Sequence, residues 1–257
     1  LRFLGCGTSF GVPVIGCACT VCTSADPRNH RTRHSLVVER DDKLLLVDTP
    51  PELRQQLLAA RIGHVDAVYL THLHADHIHG IDDLRIFSLR RQAPLRTYVA
   101  SEYVAELEAR FPYIFDPSVR LNPKTSVPRI DLHTFDVGER IDVAGFEMVP
   151  LSFPHGHVNA YGFRIGPLGV VVDGKRIPGE AKQVLRGVEV LVINALWWGD
   201  PHPTHFNVEE ALDAARSVGA RRTYLTHLTH RLDYQELAAN LPEGFEPAYD
   251  GLVVNIE

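Results

Sequence analysis

The chain has 257 residues, with 26 Lys+Arg against 32 Asp+Glu, a formal net charge of −6, 14 His and 4 Cys. A hydrophobic share of 45% and a charged share of 23% suit a globular protein with chain enough for one large α/β domain or two small ones. No Lys/Arg block runs beyond a pair, and no apolar run nears the roughly 20 residues that span a bilayer, so neither duplex nucleic acid nor a membrane is an expected partner.

Arg2–Leu4 reads as a short strand entering the glycine-rich turn 5–11, and Pro13–Arg33 as a loop. Within that loop Cys17-Ala-Cys19-Thr-Val-Cys22 holds three of the four cysteines, too few and too close for a secreted disulfide framework. The residues present show no basic stretch followed by an apolar one, and a cytoplasmic location is expected. Cys6 lies outside the cluster and reads as a small packed side chain.

Ser35–Glu39 and Leu44–Val47 read as two strands, and Pro51 opens a helix with apolar Leu53, Leu57, Leu58 and Ile62. The apolar strand Val65–Leu70 delivers the chain into Thr71-His-Leu-His-Ala-Asp-His77. A helical stretch Asp82–Arg91, a strand Arg96–Ala100, a helix capped by Ser101 and an irregular Pro-rich stretch over 112–130 follow. Further strands are expected near Arg140–Val143, Phe146–Leu151, Ala160–Ile165, Val170–Asp173, Val190–Ile193, Arg222–Leu225 and Leu252–Ile256. Helices are expected around Gly179–Leu185 and after the cap Asn207, where Val208, Ala211, Leu212 and Ala215 share a face. Strands alternate with helices in both halves without a linker, which points to one domain over 1–257, two sheets with helices outside.

His72-x-His74-x-Asp76-His77 lies at the carboxyl end of a buried strand, where open sheets place their ligands. Imidazoles two residues apart on an extended turn can chelate one metal, while Asp76 and His77 turn onward and can face a second. Nitrogen and oxygen donors in this mix suit Zn, Mn or Fe rather than Ca or Mg.

This motif, preceded by Leu44-Leu-Leu-Val-Asp48, resembles the metallo-β-lactamase superfamily, an α/β fold built as an αββα sandwich around a dinuclear metal site. The resemblance implies His155 as the third histidine of the first metal, Asp173 as the bridging carboxylate and His227 as the last histidine. One metal then has His72, His74 and His155, and the other Asp76, His77 and His227, with Asp173 shared. His157 competes with His155 for its place. Gly7-Thr-Ser-Phe-Gly-Val-Pro13 followed by Gly16-Cys-x-Cys-x-x-Cys22 further resembles the PhnP-type branch, cyclic-phosphate phosphodiesterases and their relatives. That likeness implies a separate structural zinc on Cys17, Cys19, Cys22 and His230, fastening the loop at about 13–34.

The expected reaction is hydrolysis of a small, cyclic phosphate ester by hydroxide generated between two divalent metals. Asp76 would help orient the nucleophile. His205, with His202 as competitor, matches the histidine implicated in protonating the leaving group. Arg31, Arg33, Lys175 and Arg176 are candidate substrate contacts, Arg because its fork matches phosphate oxygens; Gly174-Lys175-Arg176 departs from the small hydroxyl residue usual after the bridging aspartate. Trp197 and Trp198 read as core or as a flat pocket wall. A carboxylic ester or lactone hydrolase, a tRNA 3′-end processing enzyme and a non-hydrolytic cofactor-biosynthesis protein on the same fold are the competing expectations, and a homodimer is compatible with the sequence.

Overall fold

The computed structural model describes residues 1–257 apart from 120, 121, 123 and 124. Six strands form the first sheet in sequence order: β1 (Arg2–Gly5), β2 (Ser35–Arg40), β3 (Lys43–Val47), β4 (Ala67–Tyr69), β5 (Leu95–Ala100) and β6 (Ile130–Phe135). Its first two pairings are antiparallel and the rest parallel. The second sheet runs from β7 (Ile141–Val143) through β8 (Phe146–His155), β9 (Val158–Ile165), β10 (Leu168–Val171), β11 (Val190–Asn194) and β12 (Arg222–Thr226) to β13 (Phe245–Pro247). Here the pairings are antiparallel as far as β10 and parallel beyond it.

Side-chain alternation explains how the sheets stack. In β11, Val190 and Val192 join the core between the sheets, with Phe3, Leu36, Leu45 and Tyr69 from the first sheet and Phe163 and Tyr224 from the second. Leu191 and Ile193 face the other way, onto Leu185 of α6 (Gly179–Leu185) and Ala211, Leu212 and Ala215 of α7 (Val208–Val218). A strand buried on both faces must be apolar throughout, as β11 is. The Tyr69 hydroxyl crosses the interface and donates to the Gly162 carbonyl at 3.3 Å. Helices α1 (Leu53–Ala59), α2 (Ala75–Ile78), α3 (Arg85–Arg91), α4 (Val104–Arg110), α5 (Pro112–Phe115) and α8 (Tyr234–Asn240) complete the αββα sandwich.

Asn207 caps α7 in a full capping box with Glu210. Ser101 does not cap: it opens a 3₁₀ turn ahead of α4, and its hydroxyl donates to the Phe135 carbonyl. Within the stretch expected to be irregular, Pro112–Phe115 is helical and Ile130 already begins β6; residues 120, 121, 123 and 124 of that stretch lie outside the described residues. The expected strand Leu252–Ile256 is instead a tether, pairing with the first strand through a single bridge, Arg2 with Val253. Its backbone bonds Leu252 O to Phe3 and Val254 N–H to Leu1. No helix is long and apolar enough to cross a membrane among the described residues.

Candidate functional site

Asp48, Asp173 and His227 directly follow or closely follow β3, β10 and β12, and each has a left-handed backbone, with φ of 63°, 56° and 58°. Non-glycine residues adopt that region at a cost, and such strain collects at functional sites. His72 and His74 leave the end of β4, Asp76 and His77 enter α2, and His155 ends β8.

These ends converge into two groups of donor atoms, His72/His74/His155/Asp173 and Asp76/His77/Asp173/His227, each with all atoms within 4.8 Å of one another. His74 Nδ1 lies 3.0 Å from His72 Nε2 and 3.1 Å from His155 Nε2. Asp173 Oδ2 lies 3.6 Å from His72 Nε2 and 3.2 Å from His77 Nε2. Its other oxygen lies 3.3 Å from His227 Nε2, while Asp76 Oδ2 is 3.4 Å from His77 Nε2.

A tetrahedral metal with bonds of about 2.0–2.1 Å sets its ligands roughly 3.3 Å apart, the spacing seen here. Mutual hydrogen bonding is a poor alternative, since three imidazole nitrogens aimed at one point cannot each donate to the others. His77 Nε2, Asp173 Oδ1 and His227 Nε2 are buried without a hydrogen-bond partner, and no Lys or Arg pairs with Asp48, Asp76 or Asp173 among the described residues. Buried acids and orphaned imidazoles together fit two divalent cations.

The titration behaviour agrees. Burial holds His155 down at about 4, and burial with the neighbouring His77 holds His72 well below its ordinary value, so both present free lone pairs. Burial pushes the Asp173 carboxyl up, but His227 and His77 outweigh it and keep the group ionised.

Asp48 supports these donors from behind. Its Oδ2 lies 2.7 Å from His77 Nδ1, and it accepts from the Thr71 N–H and hydroxyl, both at 2.8 Å. His155 Nδ1 lies 3.2 Å from the Thr204 carbonyl and so fixes Nε2 as the lone-pair nitrogen. His34, fully buried and 3.1 Å from Thr226 Oγ1, packs behind His77. Only Asp48 had a sequence signal, its place after an apolar strand in Asp48-Thr-Pro-Pro.

A cleft of about 340 Å³ opens onto the donors and is lined by His74, Asp76, His155, Asp173, His205 and His227 among others. His157 is exposed on its rim and belongs to neither donor group. His205 faces inward, its Nε2 3.6 Å from Asp173 Oδ2 and its Nδ1 2.8 Å from Thr204 Oγ1. His202 packs edge-on against Trp197 in an adjoining pocket.

A third group lies apart from these two. His230 Nδ1 is 3.3 Å from Cys17 Sγ and 3.6 Å from those of Cys19 and Cys22. With metal–sulfur bonds of about 2.3 Å these are again tetrahedral edges. Backbone N–H groups of Val14 and Cys22 point at the Cys22 and Cys19 sulfurs, as they do toward thiolates; the Cys22 N–H draws Cys19 down to about 6. Cys6 is fully buried near the Ala248 carbonyl, and burial pushes its thiol up.

The expected substrate cations fare differently. Arg31 is taken out of the cleft: it is 1% exposed, and its guanidinium donates to the Thr229 and Leu232 carbonyls and to Asn29. The two carbonyls come from a segment some 200 residues away in sequence and make Arg31 a brace for the His230 segment. Arg33 pairs with Glu52 and holds the Ser9 carbonyl, while Lys175 pairs with both oxygens of Glu210. Arg176 lines a separate pocket with Val137 and Glu180. Neither tryptophan is core; Trp197 is half-buried and Trp198 is 38% exposed.

The family model described as the beta-lactamase superfamily domain matches residues 43–228, and the chain belongs to that superfamily. Among solved structures it is similar, at 37% identity and a TM-score of 0.88, to a diphosphatase of the PhnP family, covering 98% of this chain and 96% of that one. The chain thus falls within the PhnP branch of the superfamily. An octanoyltransferase of Porphyromonas gingivalis is 37% identical over 256 residues, 99% of this chain, although the chain spans only 51% of that relative. A ribonuclease Z of Myxococcus xanthus is 26% identical over 91% of this chain and 95% of its own length.

Proposed function

We propose that this chain is a hydrolase of small phosphate esters, cyclic phosphodiesters foremost, working with two divalent metals. The observation that carries this reading is the seven-residue donor set, His72, His74, Asp76, His77, His155, Asp173 and His227, opening on one side to a cleft. When bound there, Zn, Mn or Fe ions would supply an activated water and charge stabilisation for the attacking and leaving oxygens. The PhnP-family likeness, to a diphosphatase, supports phosphorus as the reaction centre. Cys17, Cys19, Cys22 and His230 would hold a structural zinc away from the chemistry.

The chain's own groups divide the proton work. Asp76, a ligand whose carboxylate also lines the cleft, orients the attacking water. Thr204 Oγ1 lies 2.8 Å from His205 Nδ1; with that hydroxyl as donor, the His205 proton sits on Nε2, buried beside the cleft without a hydrogen-bond partner among the described residues. From there it passes to the departing alkoxide. The octanoyl transfer named for the Porphyromonas relative belongs to a protein about twice this length, and no thiol or amine side chain lines the cleft among the described residues.

The test is a substrate panel on metal-loaded protein: ribosyl and nucleoside cyclic phosphates, bis-(p-nitrophenyl) phosphate, a precursor tRNA and lactones. Diester turnover abolished by a chelator is expected. Lactone or tRNA turnover without small-diester turnover overturns the reading.

A further inference from the structure

Beside the cleft lies a second pocket, of about 310 Å³, that shares Ser9, His205 and His227 with it. Pockets of this size, roughly 300 Å³ and above, are those that take small ligands. Its remaining walls include Phe10, Trp197 and Arg231. Phe10 is 73% exposed, so the ring contributes little to the core and stands at the mouth of the pocket. The turn that carries it is held by Gly11 N–H on the Thr8 carbonyl at 2.8 Å and by Arg33 Nε on the Ser9 carbonyl at 3.1 Å.

Trp197 is fixed as well, its indole N–H donating to the Asp200 carbonyl at 2.8 Å. The Arg231 guanidinium lies 4.5 Å from the centre of the Trp197 ring. Arg33 and Lys175 are paired with carboxylates, whereas Arg231 makes no ion pair among the described residues. Two aromatic rings and a guanidinium plane form a wall that favours flat π-systems over aliphatic chains.

From this juxtaposition we propose that the pocket is a substrate subsite for a flat heteroaromatic group, which makes the phosphate ester nucleotide-like, its base against Phe10, Trp197 and Arg231 while its phosphate enters the cleft. The assignment rests on the phosphate-ester reading of that cleft. It also gives Trp197 and the arginine after His230 a role that the reaction itself does not require.

The test is calorimetric titration of the metal-loaded protein with AMP and with ribose 5-phosphate, which differ by the base. AMP should bind about tenfold more tightly, the size expected of one stacked base. Phe10→Ala, at an exposed position, should narrow that gap to about threefold or less without weakening ribose 5-phosphate, and Trp197→Ala should do the same. Equal affinity for the two ligands in the unmodified protein, or a gap untouched by Phe10→Ala, overturns the subsite. Phosphate-ester hydrolysis without an AMP preference removes the subsite alone. An AMP preference without hydrolysis of any phosphate ester removes the proposed reaction and leaves the subsite standing.

Discussion

His227 and His230 lie three residues apart on one segment, yet they serve donor groups of opposite character. The group around His230 has four donors, three of them sulfur, and four is the number that closes a tetrahedron. The group around His227 has only nitrogen and oxygen donors, shares Asp173 with its neighbour and meets a cleft. A closed sulfur-rich set leaves no position for substrate. An open set with a shared carboxylate would leave positions on both metals it held. On the proposed reading, that difference separates holding from reacting over three residues of chain.

Substitutions can break that contrast. Asp173→Ala removes the shared ligand, and turnover should fall by more than about 10⁴-fold, with metal content down by two per chain. His205→Ala should lower kcat by about 10²–10³-fold with metal content unchanged, the effect being largest for substrates with poor leaving groups. The same change at His157 should cost less than about threefold. Asp48→Asn, which weakens the support behind His77, should cost about 10–100-fold in metal affinity or activity, read by titration against a competing chelator.

On the closed side, Cys22→Ser should leave kcat within about threefold but lower Tm by roughly 5–10 °C, seen by calorimetry. A Cys22→Ser protein as stable as its parent but inactive would reverse the assignment of the two groups. The smallest effect concerns pH. Burial holds His34 at about 3 and His155 at about 4. The unfolded chain takes up those protons below its ordinary histidine pKa of about 6.5. The contribution of these two histidines to the stability of the metal-free protein is therefore complete above about pH 6.5 and is lost as the pH falls toward 4, visible as a falling Tm over that range.

Several candidate donors were legible because they closely follow an apolar strand, and strand ends are the places a sequence marks best. Asp173 after Gly169-Val-Val-Val and His227 after Tyr224-Leu-Thr are of this kind. Arg31 was misleading for the opposite reason. Its surroundings in sequence are polar and loop-like, while its fate depends on carbonyls of Thr229 and Leu232 that only the fold brings near. β6 follows a Pro-rich stretch that hid its alternation, and β13 has three residues ending in proline, too few to show a period. Arg231 carries no pattern at all; its meaning comes from lying over Trp197.

The contrast between the donor groups reduces to a count, two metals for the open groups and one for the closed group. Elemental analysis of purified, metal-reconstituted protein measures it directly, with Asp173→Ala and Cys22→Ser beside the parent. About three metals per chain are expected for the parent, about one for Asp173→Ala and about two for Cys22→Ser. One metal per chain in the parent, retained in Asp173→Ala and lost in Cys22→Ser, would contradict it.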